Sequence, residues 1–159
     1  MKKAWVLVVV AMLATPLLCV SSLAEREGSK IRLVTREVSL GKIHPGIVPR
    51  TFVVSADGRR VAYAAWRADK CLVVVDGAEG KEYDVIGEGD PIFSPDGKRV
   101  AYAARRGQKW LVVVEAVEGK EYDAFLRGSE LMFDSPKLLH ALAHREKEFF
   151  RVEIEIVQE

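Results

Sequence analysis

The chain has 159 residues, 49% of them apolar, and sets 24 basic side chains against 23 acidic ones. A formal net charge of +1 leaves no electrostatic footprint for a nucleic-acid partner. The length is enough to bury a single hydrophobic core.

The chain begins as a secretory signal peptide does. Lys2 and Lys3 precede an apolar run from Ala4 to Val20, and Ser22-Leu23-Ala24 puts small residues where a signal peptidase reads, so residues 1–24 are predicted to be removed. The rival reading is an uncleaved membrane-anchoring helix, against which Pro16 and the small-residue exit argue. Cys19 lacks the small residue before it that a lipoprotein signal needs. Cleavage leaves 22 basic residues against 23 acidic ones and a periplasmic or secreted product. Its one cysteine, Cys71, has no partner within the chain and is expected to be a buried structural thiol.

Residues 25–29 read as a polar leader. From Ile31 to Val48 apolar residues recur at intervals, broken by Gly41 and Pro45, and the stretch 30–50 is expected to form a half-repeat or cap with His44 in a loop. An internal repeat follows. Residues 51–89 and 90–128 align without a gap and share 22 of 39 positions. In each copy the order is Ser-x-Asp-Gly, Val-Ala-Tyr-Ala-Ala, Leu-Val-Val-Val and Glu-Gly-Lys-Glu-Tyr-Asp. Asp57-Gly58 and Asp96-Gly97 are expected at hairpin tips, supplying positive backbone angles. The short β-branched, aromatic and Ala-rich runs between turn formers predict strands at about 52–55, 59–66, 70–76 and 81–86, and again one period later.

Tyr63 and Ala65 face one side of their strand and Ala62 and Ala64 the other, while Leu72 to Val75 is apolar on both sides. A strand apolar on both faces must be covered on both. Four-stranded antiparallel sheets repeated at about 40 residues, each between neighbours, describe β-propeller blades. Residues 129–159 keep the register as a divergent third copy, although Asp134-Ser135-Pro136 replaces the Asp-Gly hairpin. Its last strand alternates Phe150, Val152, Ile154 and Ile156 with Arg151, Glu153 and Glu155, the pattern of an end repeat with one face in water. The expected fold is therefore all-β: a half-blade or cap over 30–50, blades over 51–89 and 90–128, and a capping blade over 129–159. Such a partial propeller is either an open arc or is completed by pairing with a second copy.

The segment Phe93 to Ala104, FSPDGKRVAYAA, preceded by Gly87-Glu88-Gly89-Asp90-Pro91, resembles the repeat of TolB-like (WD-like) propellers, which also occurs in the propeller domains of prolyl-oligopeptidase-type peptidases. The resemblance covers most of residues 51–128. It implies a propeller fold and an exported, non-catalytic scaffold with protein partners in the cell envelope. The extra domain that precedes the TolB propeller has no counterpart here, and the Trp-Asp and Gly-His pairs of true WD repeats are absent.

No Gly-x-Ser-x-Gly elbow, Gly-rich phosphate loop or Cys-x-x-Cys pair occurs, and no cofactor is indicated. His140 and His144 would share a face on a helix but stand about 13 Å apart on a strand, so core or rim positions are expected rather than a metal site. Each Asp-Gly tip offers calcium one carboxylate only. The turns between second and third strands align Arg67, Arg106 and Arg145, with Trp66, Arg105 and His144 beside them. Up-and-down topology would gather these at one rim, with Asp76, Glu79, Glu115 and Glu118 at the other. The functional reading is a rim that binds an anionic or aromatic partner, a protein or alternatively a small molecule or glycan; the plain reading is solvated turns on a structural domain.

Overall fold

The computed structural model describes residues 31–157, and the predicted signal peptide over 1–24 lies outside the described residues. Among these no helix is long and apolar enough to cross a membrane. Of the described residues, 37–157 belong to one compact unit. It is all-β, and its antiparallel sheets follow one another as propeller-type blades, the expected fold class.

The first blade runs in sequence order from β1 (Val53–Val54) through β2 (Val61–Arg67) and β3 (Lys70–Val75) to β4 (Ala78–Glu79). In the second, β5 (Val85–Ile86) and β6 (Ile92–Phe93) both pair with β7 (Val100–Arg106), which pairs with β8 (Lys109–Val114) and then β9 (Val117–Tyr122). The third repeats this with β10 (Ala124–Phe125) and β11 (Met132–Ser135) on β12 (Leu138–Arg145), followed by β13 (Glu148–Glu155). It has no fourth row among the described residues.

The fourth strand departs from the expected 81–86. Pairing begins earlier, at Ala78 and Glu79, and continues to a bridge between Tyr83 and Cys71. Val85 and Ile86 already belong to the next blade, opposite Arg105 and Ala104. The change of sheet happens at Asp84, whose N–H donates to the Arg105 carbonyl. Each first row thus opens with the end of the preceding repeat and is completed, after a loop, by the start of its own. Residues 31–43 hold no strand, and Gly46 to Val48 join the first row of the first blade, with Trp66 donating to the Gly46 carbonyl and Val48 to that of Ala64.

Every first row is interrupted by a loop, which leaves one N–H of the second strand without a main-chain partner. A side chain fills the gap at the same register in all three blades. Thr51 Oγ1 accepts from Ala64 at 2.9 Å, Asp90 Oδ2 from Ala103 at 2.7 Å and Ser129 Oγ from Leu142 at 2.7 Å. These acceptors stand at the first position of each sequence repeat.

At the Asp-Gly tips only the glycines take positive φ, +68° at Gly58 and +69° at Gly97. Asp57 and Asp96 cap the turn instead: each accepts from its serine hydroxyl at 2.6 Å, and that serine accepts the N–H of Arg60 or Arg99 at 3.0 Å. The core consists of the spaces between sheets. Ala62 and Val73 of the first blade meet Tyr102, Leu111 and Val113 of the second. Ala101 and Val112 on its other face meet Leu139 and Ala141 of the third.

Candidate functional site

The turns at Arg67–Lys70, Arg106–Lys109 and Arg145–Glu148 do lie at corresponding sheet ends, but their charges are not segregated from the acidic side chains. Arg67 pairs with Glu79 and, at 3.2 Å, with Glu82. Arg106 pairs with Glu118 at 3.1 Å and Glu121 at 3.3 Å. The expectation that Glu79 and Glu118 sit at the opposite rim therefore fails, because the fourth row carries them back beside the arginines. These contacts hold both arginines firmly protonated, Glu79 and Glu82 raising Arg67 and Glu118 and Glu121 raising Arg106.

Arg145 behaves differently for a simple reason. The residue at the position of Glu79 and Glu118 is Val157, so Arg145 instead stacks over the rings of Phe150 at 5.3 Å and Tyr122 at 5.8 Å. Arg105 lies over Trp110 at 6.0 Å, with its buried Nε unpartnered among the described residues. Trp66 is 46% exposed. His144 has its ring edge-on to Phe149 and its Nδ1 4.0 Å from Asp123.

Two aspartates tie the turns together. Asp84 accepts from Lys70 of its own blade at 2.5 Å and from the Gly107 N–H of the next at 2.6 Å. Asp123 repeats this with Lys109 at 2.5 Å and the Glu146 N–H at 2.9 Å. Hydrogen bonds from these lysines hold both carboxyls below the usual aspartate range. That is the structural use of the last residue in Glu-Gly-Lys-Glu-Tyr-Asp.

His140 and His144 occupy the outer face of β12 and take separate partners, His140 Nδ1 meeting Asp134 at 2.7 Å. Among the described residues no three metal-ligating side chains converge. Cys71 is buried, and burial pushes its thiol pKa up.

A second place was missed from sequence. A groove of about 570 Å³ opens between the second and third blades, walled by Trp110, Val112, Phe125 and Leu126, with Glu88, Arg127 and Glu130 also lining it. Asp90 also lines it, only 4% exposed, and burial raises its carboxyl pKa to about 7. The available signal was a register comparison: positions 51, 90 and 129 hold Thr, Asp and Ser, so one of three equivalent residues carries charge. Comparison with protein-family models, with curated proteins and with solved structures gave no match to this chain.

Proposed function

We propose that the chain is an exported, non-catalytic, TolB-like propeller-repeat protein that serves as a binding scaffold in the cell envelope. The observation that carries this reading is the tied rim. Asp84 and Asp123 each bond to turns of two successive blades, so Trp66, Arg105 and His144 stand at set spacings before any partner arrives. A preformed surface loses little conformational entropy on binding, and half-exposed Trp66 supplies an apolar contact of the kind that dominates protein interfaces. Arg67 and Arg106, already paired, would frame that contact rather than bind an anion.

The test is site-specific photo-cross-linking in exporting cells. A cross-linker at position 66 or 105 is expected to capture envelope protein, while one at Pro95 or Lys137, at the other end of the sheets, captures much less. Equal yields from both ends, or none from 66 and 105, would overturn the reading. The groove beside Asp90 favours a second, small-molecule function, in which Trp66 takes no part although Arg105 of the rim stacks on the groove residue Trp110.

A further inference from the structure

We propose that the groove between the second and third blades binds an alkylammonium group, with the Asp90 carboxylate as counter-ion and Trp110 and Phe125 as walls for the hydrocarbon stem.

The argument begins with a charge that the fold does not need. The hydrogen bond that Asp90 accepts from Ala103 is made in the first blade by Thr51 and in the third by Ser129, both neutral hydroxyls. A carboxyl in this place carries a desolvation penalty that a hydroxyl avoids. The blade has nevertheless made room for it. A Cβ on Gly87 would fall 2.5 Å from Asp90 Oδ2 and 3.1 Å from the Ala103 Cβ, whereas the corresponding positions beside the smaller hydroxyls hold Val48 and Leu126. Glycine here provides space, and the same substitution opens the groove wall.

Asp90 makes its side-chain hydrogen bond through Oδ2, and Oδ1, which keeps solvent contact in an otherwise buried residue, has no hydrogen-bond partner among the described residues. No cationic side chain among them pairs with it. Glu88 and Glu130 line the same groove, against one lining cation, Arg127, and Arg50 and Glu88 border a smaller cavity that Asp90 also lines. The acidic excess attracts a cation, while Trp110, Phe125 and Leu126 suit carbon rather than a hydrated metal ion. The geometry of the acceptors selects among organic cations. Guanidinium is held best by two parallel, equally free acceptors, whereas one lone pair of Oδ2 is committed to the Ala103 N–H, so a compact ammonium suits the freer Oδ1 better.

The experiment is a calorimetric and NMR titration of the full chain with n-butylammonium, and with n-butanol as the uncharged control. Wild type is expected to bind the amine at least tenfold more tightly than the alcohol. Asp90→Thr imports the first blade's own solution, keeping the Ala103 hydrogen bond, and is expected to lose that preference while melting no lower than wild type. Trp110→Leu should weaken the amine several-fold with the charge still present. Equal binding of amine and alcohol, or an unchanged preference in Asp90→Thr, would overturn the proposal, as would no binding of the amine to wild type. A lysine-containing peptide compared with its Nε-acetylated form identifies the source: tighter, acetylation-sensitive binding than the free amine assigns the groove to a protein side chain, and binding no tighter assigns it to a small amine. Because Trp66 does not line the groove, loss of cross-linking at position 66 leaves this result untouched, and the converse holds.

Discussion

The second blade buries both faces of its sheet, whereas the third buries one. On β7 and β8 the sides bearing Tyr102 and Leu111 and those bearing Ala101 and Val112 are both covered. On β12 and β13 Leu139, Ala141 and Val152 face the second blade, and His140, Leu142, Arg151 and Glu153 face outward. The third blade has no Asp-Gly tip and no fourth row among the described residues, yet its strands keep the same register. What it retains is the main-chain frame, the side-chain acceptor at its first position, and the tie from Asp123, which the second blade supplies. The frame thus survives where the motif has gone, because each blade's alignment is set partly by its predecessor.

Leucines on the two kinds of face give the largest contrast. Leu111→Ala and Leu139→Ala remove side chains with no exposed surface and should each lower stability by about 3 kcal/mol, whereas Leu142→Ala should change it by under about 0.5 kcal/mol. Denaturant midpoints at constant slope measure this. A cost at Leu142 as large as at Leu139 would mean that the outer face is covered in solution and the blades are alike.

Asp90 separates the second blade from both neighbours in another way. A carboxyl whose folded pKa lies near 7, above its unfolded 3.8, contributes stability that is complete below pH 4 and lost as pH rises through 7. Glu130 across the groove adds to the rise. The neutral residue in Asp90→Thr has no such loss, so its stability relative to wild type should increase by roughly 2 to 3 kcal/mol between pH 5 and pH 8. Chemical denaturation of both proteins at the two pH values reads the difference. A constant gap would show that the carboxyl ionises in the fold without penalty.

The parts of this structure that were legible in sequence are those set by local pattern. Alternation at Tyr63 and Ala64, the doubly apolar run after Leu72 and the charged alternation after Phe150 each fixed a strand and its faces. The change of sheet at Asp84 was not legible, since Glu-Gly-Lys-Glu-Tyr-Asp reads as one continuous strand and only pairing with Arg105 shows that the next blade has begun. Rim charge was misread for the same reason. Glu79 is close to the Asp76 turn in sequence, but its side chain reaches Arg67 along the fourth row. Asp90 escaped because burial depends on the neighbouring blade, which a repeat unit considered alone does not contain.

Tight turns offer a smaller contrast between the first and second blades. Asp76-Gly77 and Glu115-Ala116 both take positive φ at each residue, with +80° at Gly77 and +66° at Ala116. A side chain in the left-handed region is strained by about 1 kcal/mol, so Ala116→Gly should stabilise by about that amount, less the added unfolded-state entropy. Gly77→Ala should destabilise by more, about 2 kcal/mol, because its new methyl would also meet the Gly41 Cα at 2.8 Å. Thermal melts of the two variants should move in opposite directions. If both fall, the second blade's turn is held by contacts that a glycine would loosen.

The most local test concerns the ties themselves. Asp84 holds the Gly107 N–H and Asp123 the Glu146 N–H, in both cases across a blade boundary. Both carboxyls sit near solvent, so their replacement should scarcely shift the global unfolding midpoint. The effect should appear in hydrogen exchange. Asp84→Asn is expected to speed exchange at Gly107 and leave Glu146 as it was, and Asp123→Asn to do the reverse. Their depressed pKa values predict the same pattern in wild type, with protection present above the ordinary aspartate range and lost as pH falls through the lowered folded values. If Asp123→Asn also released Gly107, the turns would form one cooperative rim. If neither amide responded, the third blade would owe its alignment to the core around Leu139 alone, and the rim would lose the rigidity on which its role as a binding surface rests.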